Sequence, residues 1–132
     1  MERVIKGFVV NVYDPTKTDV VVFHDKLENI YKMLDVELID VTERQIGNFT
    51  YDIVCDDEGL FKNPAYPSAF DKSGNPQLVG NLLLVNHDDE GNFASLTDEQ
   101  IETIKDNLHV CMVADENGLH VSPALKNVEY VA

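Results

Sequence analysis

The sequence predicts an α+β domain, a mostly antiparallel or mixed β-sheet with two short helices packed on one face. Three observations predict it. Short runs rich in Val, Ile, Phe and Tyr recur along the whole chain, and two segments carry apolar residues at helical spacing behind a cap signal. Acidic turns closed by glycine separate the strand-like runs at Asp56-Asp57-Glu58-Gly59, Asp88-Asp89-Glu90-Gly91 and Asp115-Glu116-Asn117-Gly118.

Val4 to Val12 reads as the first strand, rich in β-branched and aromatic residues and stopped by the turn signal Asp14-Pro15. Asp19 to Phe23 follows as a second strand, so the two are expected to form a hairpin. Asp25 stands where an N-cap would, with Glu28 three residues on, and Leu27, Ile30, Tyr31 and Leu34 fall on one helical face. Val36 to Val41 is the next expected strand. Phe49, Tyr51, Ile53 and Cys55 then alternate with Thr50, Asp52 and Val54, which places the first set on one buried sheet face.

Between Leu60 and Val79 the prolines at 64, 67 and 76 remove backbone donors, so an irregular excursion of about twenty residues is expected there. Leu82 to Val85 is apolar at every position and reads as a central strand covered on both sides. Thr97, Gln100 and the pair Leu96 and Ile101 supply an N-cap, a capping box and a hydrophobic staple together, and this is the clearest helix start in the chain. His109 to Val113 and Leu119 to Val121 flank a four-residue loop, and a last extended piece is expected from Val128 to Val131.

With 132 residues the chain is long enough for one core and short for two, so residues 1–132 are expected to form a single domain. No apolar run comes near the roughly 20 residues of a membrane-spanning helix, and the N-terminus shows no signal-peptide pattern, so a cytoplasmic location is expected. Cys55 and Cys111 lie in apolar strand-like segments and read as buried free thiols.

Charge is the extreme feature: 24 acidic against 10 basic side chains, a formal net charge of −14. Direct binding of nucleic acid is disfavoured, because a polyphosphate would be repelled and no block of Lys and Arg exists to displace counterions. The acidic triplets lack the alternating oxygens of a calcium loop, and the four histidines show no zinc spacing, so no metal site is expected. The glycines form no phosphate-binding loop, no motif singles out a nucleophile, and neither cofactor nor catalytic residue is expected.

From Leu27 to Leu108 the order of elements resembles domain-of-unknown-function family 3846, small proteins encoded by phages and mobile elements in bacteria. The resemblance rests on Met33-Leu34 ending the first helix, on Asp57-Glu58-Gly59 and on Leu60-Phe61-Lys62-Asn63-Pro64. It continues through Leu78-Val79-Gly80-Asn81 into an apolar strand and then Ser95 to Ile101. It implies a phage or mobile-element source and supplies no established activity and no catalytic residue; residues 109 to 132 extend beyond it.

These readings converge on a non-enzymatic accessory protein that acts by binding. In one version Asp56, Asp57, Glu58, Asp88, Asp89 and Glu90 gather on one end of the sheet and imitate DNA phosphates toward a basic host protein. In the alternative, the excursion from 60 to 79 binds a small ligand or nucleotide through Phe61, Lys62, Tyr66, Phe70 and Lys72, although those aromatics are more simply read as anchors that pin the loop to the core. Exposed strand edges also make a homodimer plausible.

Overall fold

The computed structural model describes residues 3–62 and 64–131; the turn signal at Asn63 lies outside them. Eleven strands and two α-helices follow one another as β1 (Val4–Val10), β2 (Asp19–His24), α1 (Leu27–Leu34), β3 (Ile39–Ile46), β4 (Phe49–Asp56), β5 (Pro67–Phe70), β6 (Pro76–Val79), β7 (Leu82–His87), β8 (Phe93–Ala94), α2 (Asp98–Asp106), β9 (Leu108–Asp115), β10 (Gly118–Leu125) and β11 (Val128–Tyr130). The α+β class, mostly β, stands.

They build two sheets. In the larger the order is β11-β3-β4-β7-β1-β2, with β8 paired to the far end of β7; every pairing is antiparallel. In the smaller the order is β6-β5-β10-β9, where a single parallel pairing joins β10 to β5. β7 is central, as its unbroken apolar run requires: Leu82 and Leu84 face one side, Leu83 and Val85 the other, and all four are fully buried.

That alternation divides the core. On one side Leu83 and Val85 pack with Ile5, Val9, Phe23 and Val54 beneath Ile30 and Leu34 of α1. On the other, Leu82 and Leu84 join Phe8, Ile53 and Tyr51 against Ile101 and Ile104 of α2, with Ala69 and Leu125 of the smaller sheet. The helices therefore cover opposite faces, which corrects the expected placement of both on one face. Two-sided apolarity in β7 demands a cover on each side.

Other expectations are corrected locally. Lys26, with no side-chain cap bond, precedes α1; Asp25 instead donates its backbone N–H to the Arg3 carbonyl, which extends the β1–β2 pairing past His24. β3 begins at Ile39 and runs through the polar stretch to Ile46, because Gly47 at φ 61 supplies a tight turn that zips it residue by residue onto β4. The prolines at 67 and 76 open strands β5 and β6, so the excursion from 60 to 79 holds a hairpin. Asp115 pairs with Gly118, which leaves a two-residue turn where four residues were expected. Both cysteines are free as read, but only Cys55 is buried; Cys111 is half-buried on β9. The α2 start is as read: the Thr97 side chain accepts from the Gln100 N–H and the Gln100 side chain accepts from the Thr97 N–H.

Candidate functional site

β4 and β7 run antiparallel, with Cys55 opposite Leu82 and Asp52 opposite Val85. The turn after β4 and the turn after β7 therefore lie at opposite ends of the larger sheet, and the six carboxylates do not share a face. Asp56 is also withdrawn from solvent, its side chain 2% exposed, and pairs with Lys62 Nζ at 2.9 Å. Asp88 is committed to its own turn, where it accepts from the backbone N–H of Glu90 and Asn92. The Asn92 turn bond lowers its pKa despite some desolvation, and the Glu90 bond and Arg3 add to the effect. Asp57, Glu58, Asp89 and Glu90 remain exposed at the two ends.

The residues of the 60–79 excursion separate as well. Tyr66 is buried and stacks on His120 at 4.1 Å between ring centroids, with Tyr13 at 5.4 Å; Phe70 leans on His109. Both are anchors that tie the excursion to β10 and β9. Phe61 is 86% exposed and stands apart from them. Lys62 donates to the Asp35 carbonyl as well as pairing with Asp56; desolvation alone would lower its pKa, but the Asp56 hydrogen bond and charge outweigh it and hold the ammonium above its ordinary range. Burial raises Tyr13, against the pull of Lys62. Lys72 sits elsewhere, in a cleft of about 510 Å³ with Gln45, Asn107, Asn127 and Tyr130.

What the structure does gather is an apolar face that sequence spacing concealed. Through the β9–β10 register, Met112 lies opposite Val121, Ala114 opposite Leu119 and Val110 opposite Pro123, so all six share one side. The other side, with Ser122 and Ala124 buried, faces the core. On the outer side Val110, Met112, Leu119 and Val121 are 66%, 67%, 72% and 50% exposed. Four such side chains leave on the order of 400 Å² of apolar surface in water, the size of patch that on monomers is often functional.

β9 is also the last strand of its sheet, and its eight pairs to β10 run without a bulge. Among the described residues, every second residue of β9 therefore turns an unpaired N–H and C=O outward. Edge strands are ordinarily protected by Lys, Pro, a bulge or short length. Residues 108–115 contain no Lys, Arg or Pro and run straight for eight residues. Acids bracket the strand in sequence, Asp106 before it and Asp115 and Glu116 at its end, with no Lys or Arg from 106 to 116.

A family model described as "Domain of unknown function (DUF3846)" matches residues 5–109 of the 132. The chain belongs to that family. Neither a curated protein nor a solved structure matches it. The DUF3846 match covers the larger sheet through β8, both helices and β5–β6, and ends two residues into β9, so the exposed hairpin lies almost wholly beyond it. Leu125 and Val128 nevertheless are buried against the DUF3846 part, and β11 extends its larger sheet.

Sequence reasoning identified the hairpin and missed the surface. Val110 to Ala114 is apolar at consecutive positions, which looks like burial on both faces; the signal that could have revealed an edge was the acid bracketing of an otherwise uncharged strand.

Proposed function

We propose that this protein works by binding, taking an extended segment of a protein partner onto the free edge of β9 as an added strand. The supporting observation is the conjunction on one strand of eight regular, unprotected edge residues and a contiguous exposed apolar face. Strand addition draws affinity from backbone hydrogen bonds and specificity from alternate side chains. A fitting segment carries apolar residues at every second position, to lie beside Val110 and Met112, and Lys or Arg at both ends, to meet Asp106 and Glu116.

Charge selects between occupants. A second copy could pair edge to edge, but each copy carries −14 and the approach would be repulsive, whereas a basic partner is drawn in. A basic protein thus remains the proposed partner, engaged through a strand edge and not through phosphate mimicry, since the carboxylates invoked for mimicry stand at two ends.

The proposal is tested with a labelled ten-residue peptide of alternating Val and Thr bracketed by Lys, titrated by fluorescence anisotropy. It is expected to bind, to weaken moderately as salt screens the flanking charges, and to bind at least tenfold less tightly when the bracketing Lys are Glu. Equal affinity for both peptides, or a concentration-dependent dimer that excludes them, would contradict it.

A second reading is favoured by the cleft around Lys72, whose volume falls within the range of small-ligand sites. Nucleotides that raise the melting temperature of the wild-type protein but not of Lys72→Ala would support it.

A further inference from the structure

Three adjacent strands of the larger sheet place Glu43, Asp52 and His87 together. Glu43 lies directly opposite Asp52 in the β3–β4 register; Asp52 lies opposite Val85, and His87 is two residues beyond Val85 on the same side. This is the α1 face, past the end of the apolar cluster that contains Val54 and Val85. His87 Nδ1 is 3.0 Å from Asp52 Oδ2, 3.1 Å from Asp52 Oδ1 and 3.9 Å from Glu43 Oε2, and one donor atom from each residue falls within 4.8 Å of the others.

Two carboxylates directly opposite on neighbouring strands repel. Here one of them is largely buried, the Asp52 side chain being 12% exposed, and among the described residues neither forms an ion pair with Lys or Arg. The arrangement therefore lacks a fixed positive charge at its centre.

We propose that Glu43, Asp52 and His87 form a binding site for one divalent first-row transition-metal ion. Imidazole with carboxylate is a donor set that suits zinc and its neighbours. Bonds of roughly 2.0–2.2 Å put adjacent ligands about 3.0–3.5 Å apart, the separation that His87 and Asp52 already have, whereas Glu43 stands farther out, at 3.9 Å from His87. The short, largely buried Asp52 fixes one donor and the exposed Glu43 closes the last gap. Water completes the coordination on the open side. The ion would replace a repulsive cross-strand contact by a staple across β3, β4 and β7.

The site escaped sequence reading because its members, at positions 43, 52 and 87, are joined by strand register alone. It is tested by calorimetric titration of the full chain with zinc chloride and by the visible absorption of the cobalt(II) form. The expected result is one ion per chain, with affinity lowered at least tenfold by Glu43→Gln and by His87→Ala and unchanged by His24→Ala. Glu43 is exposed, so its variant keeps the fold, and a melting curve of each variant checks this. An absence of binding at hundredfold excess of zinc, or undiminished binding in Glu43→Gln and His87→Ala, would overturn the proposal, the latter placing the ion on other groups such as Cys111.

Discussion

Replacing Lys62 by Met should destabilise the fold by about 3 kcal/mol. Asp56 Oδ2 is 2.9 Å from the ammonium, and the carboxylate side chain is 2% exposed, so removal of the cation leaves a buried charge whose remaining bond among the described residues is the Glu58 N–H to Oδ1. Breaking a buried pair from one side costs about 3–5 kcal/mol. The low end applies because the Lys62 side chain is 37% exposed and water can enter where it was. For a domain of this length that corresponds to a fall of roughly 10 °C in melting temperature. Urea denaturation of wild type, Lys62→Met, Asp56→Asn and the double variant forms a cycle. The double variant should recover part of the loss, because the amide that replaces the Asp56 carboxylate can still accept from the Glu58 N–H and no charge is stranded. A Lys62→Met protein within about 0.5 kcal/mol of wild type, the range of an ordinary surface change, would refute the reasoning and return Asp56 to the solvent-facing acids.

Three further outcomes follow from the core and its titratable groups. Gly7→Ala should cost about 1–3 kcal/mol by overpacking, since an added Cβ would sit 2.8 Å from the Leu84 carbonyl oxygen and 3.0 Å from side-chain atoms of Leu83 and Val85; a neutral result in urea would mean that β1 and β7 are not in this register. Burial pushes the Cys55 thiol up to about 11 and the Tyr51 phenol up to about 12. Folded values raised above unfolded ones give stability that is complete below about pH 9 and is lost as pH climbs through about 11, so urea midpoints should fall over that window. Over the same window Cys111, half-buried, should react with a disulfide reagent well before Cys55 does; equal rates would show that Cys55 is open to solvent.

Elements whose signal is local were legible in the sequence. The α2 start was legible because cap, capping box and staple all lie between Leu96 and Ile101, and β4 because Phe49, Tyr51, Ile53 and Cys55 recur at every second position. β7 was recognised as central from four apolar residues in a row, yet the consequence, one cover on each face, was drawn only halfway. What failed depended on partners distant in sequence. The polar run of β3 is a strand because β4 pairs with it, Asp25 is an extension of β2 because Arg3 holds its N–H, and β5 and β6 form because β10 lies beside β5.

The candidate sites divide the same way. Acidity was read correctly as an amount, but the ends of antiparallel strands decide where each triplet stands, and those ends put 56–58 and 88–90 apart. Tyr66 and Phe70 proved to be anchors, an alternative the composition had allowed. Val110 and Met112 are exposed because, among the described residues, nothing covers the face of the β9–β10 hairpin that they share with Leu119 and Val121, a fact carried by tertiary packing and by no residue in the strand itself.

The proposed binding mode is tested most directly by amide hydrogen exchange along β9 with the Lys-bracketed peptide present and absent. The outward-turned amides of residues 108–115 should exchange quickly in the free protein and slow at least tenfold with peptide, alternating with amides already held by β10, while a Val110→Lys and Met112→Lys protein of unchanged stability shows no such slowing. Exchange on β9 that is indifferent to the peptide, or protection that survives the double substitution, would contradict strand addition at this edge.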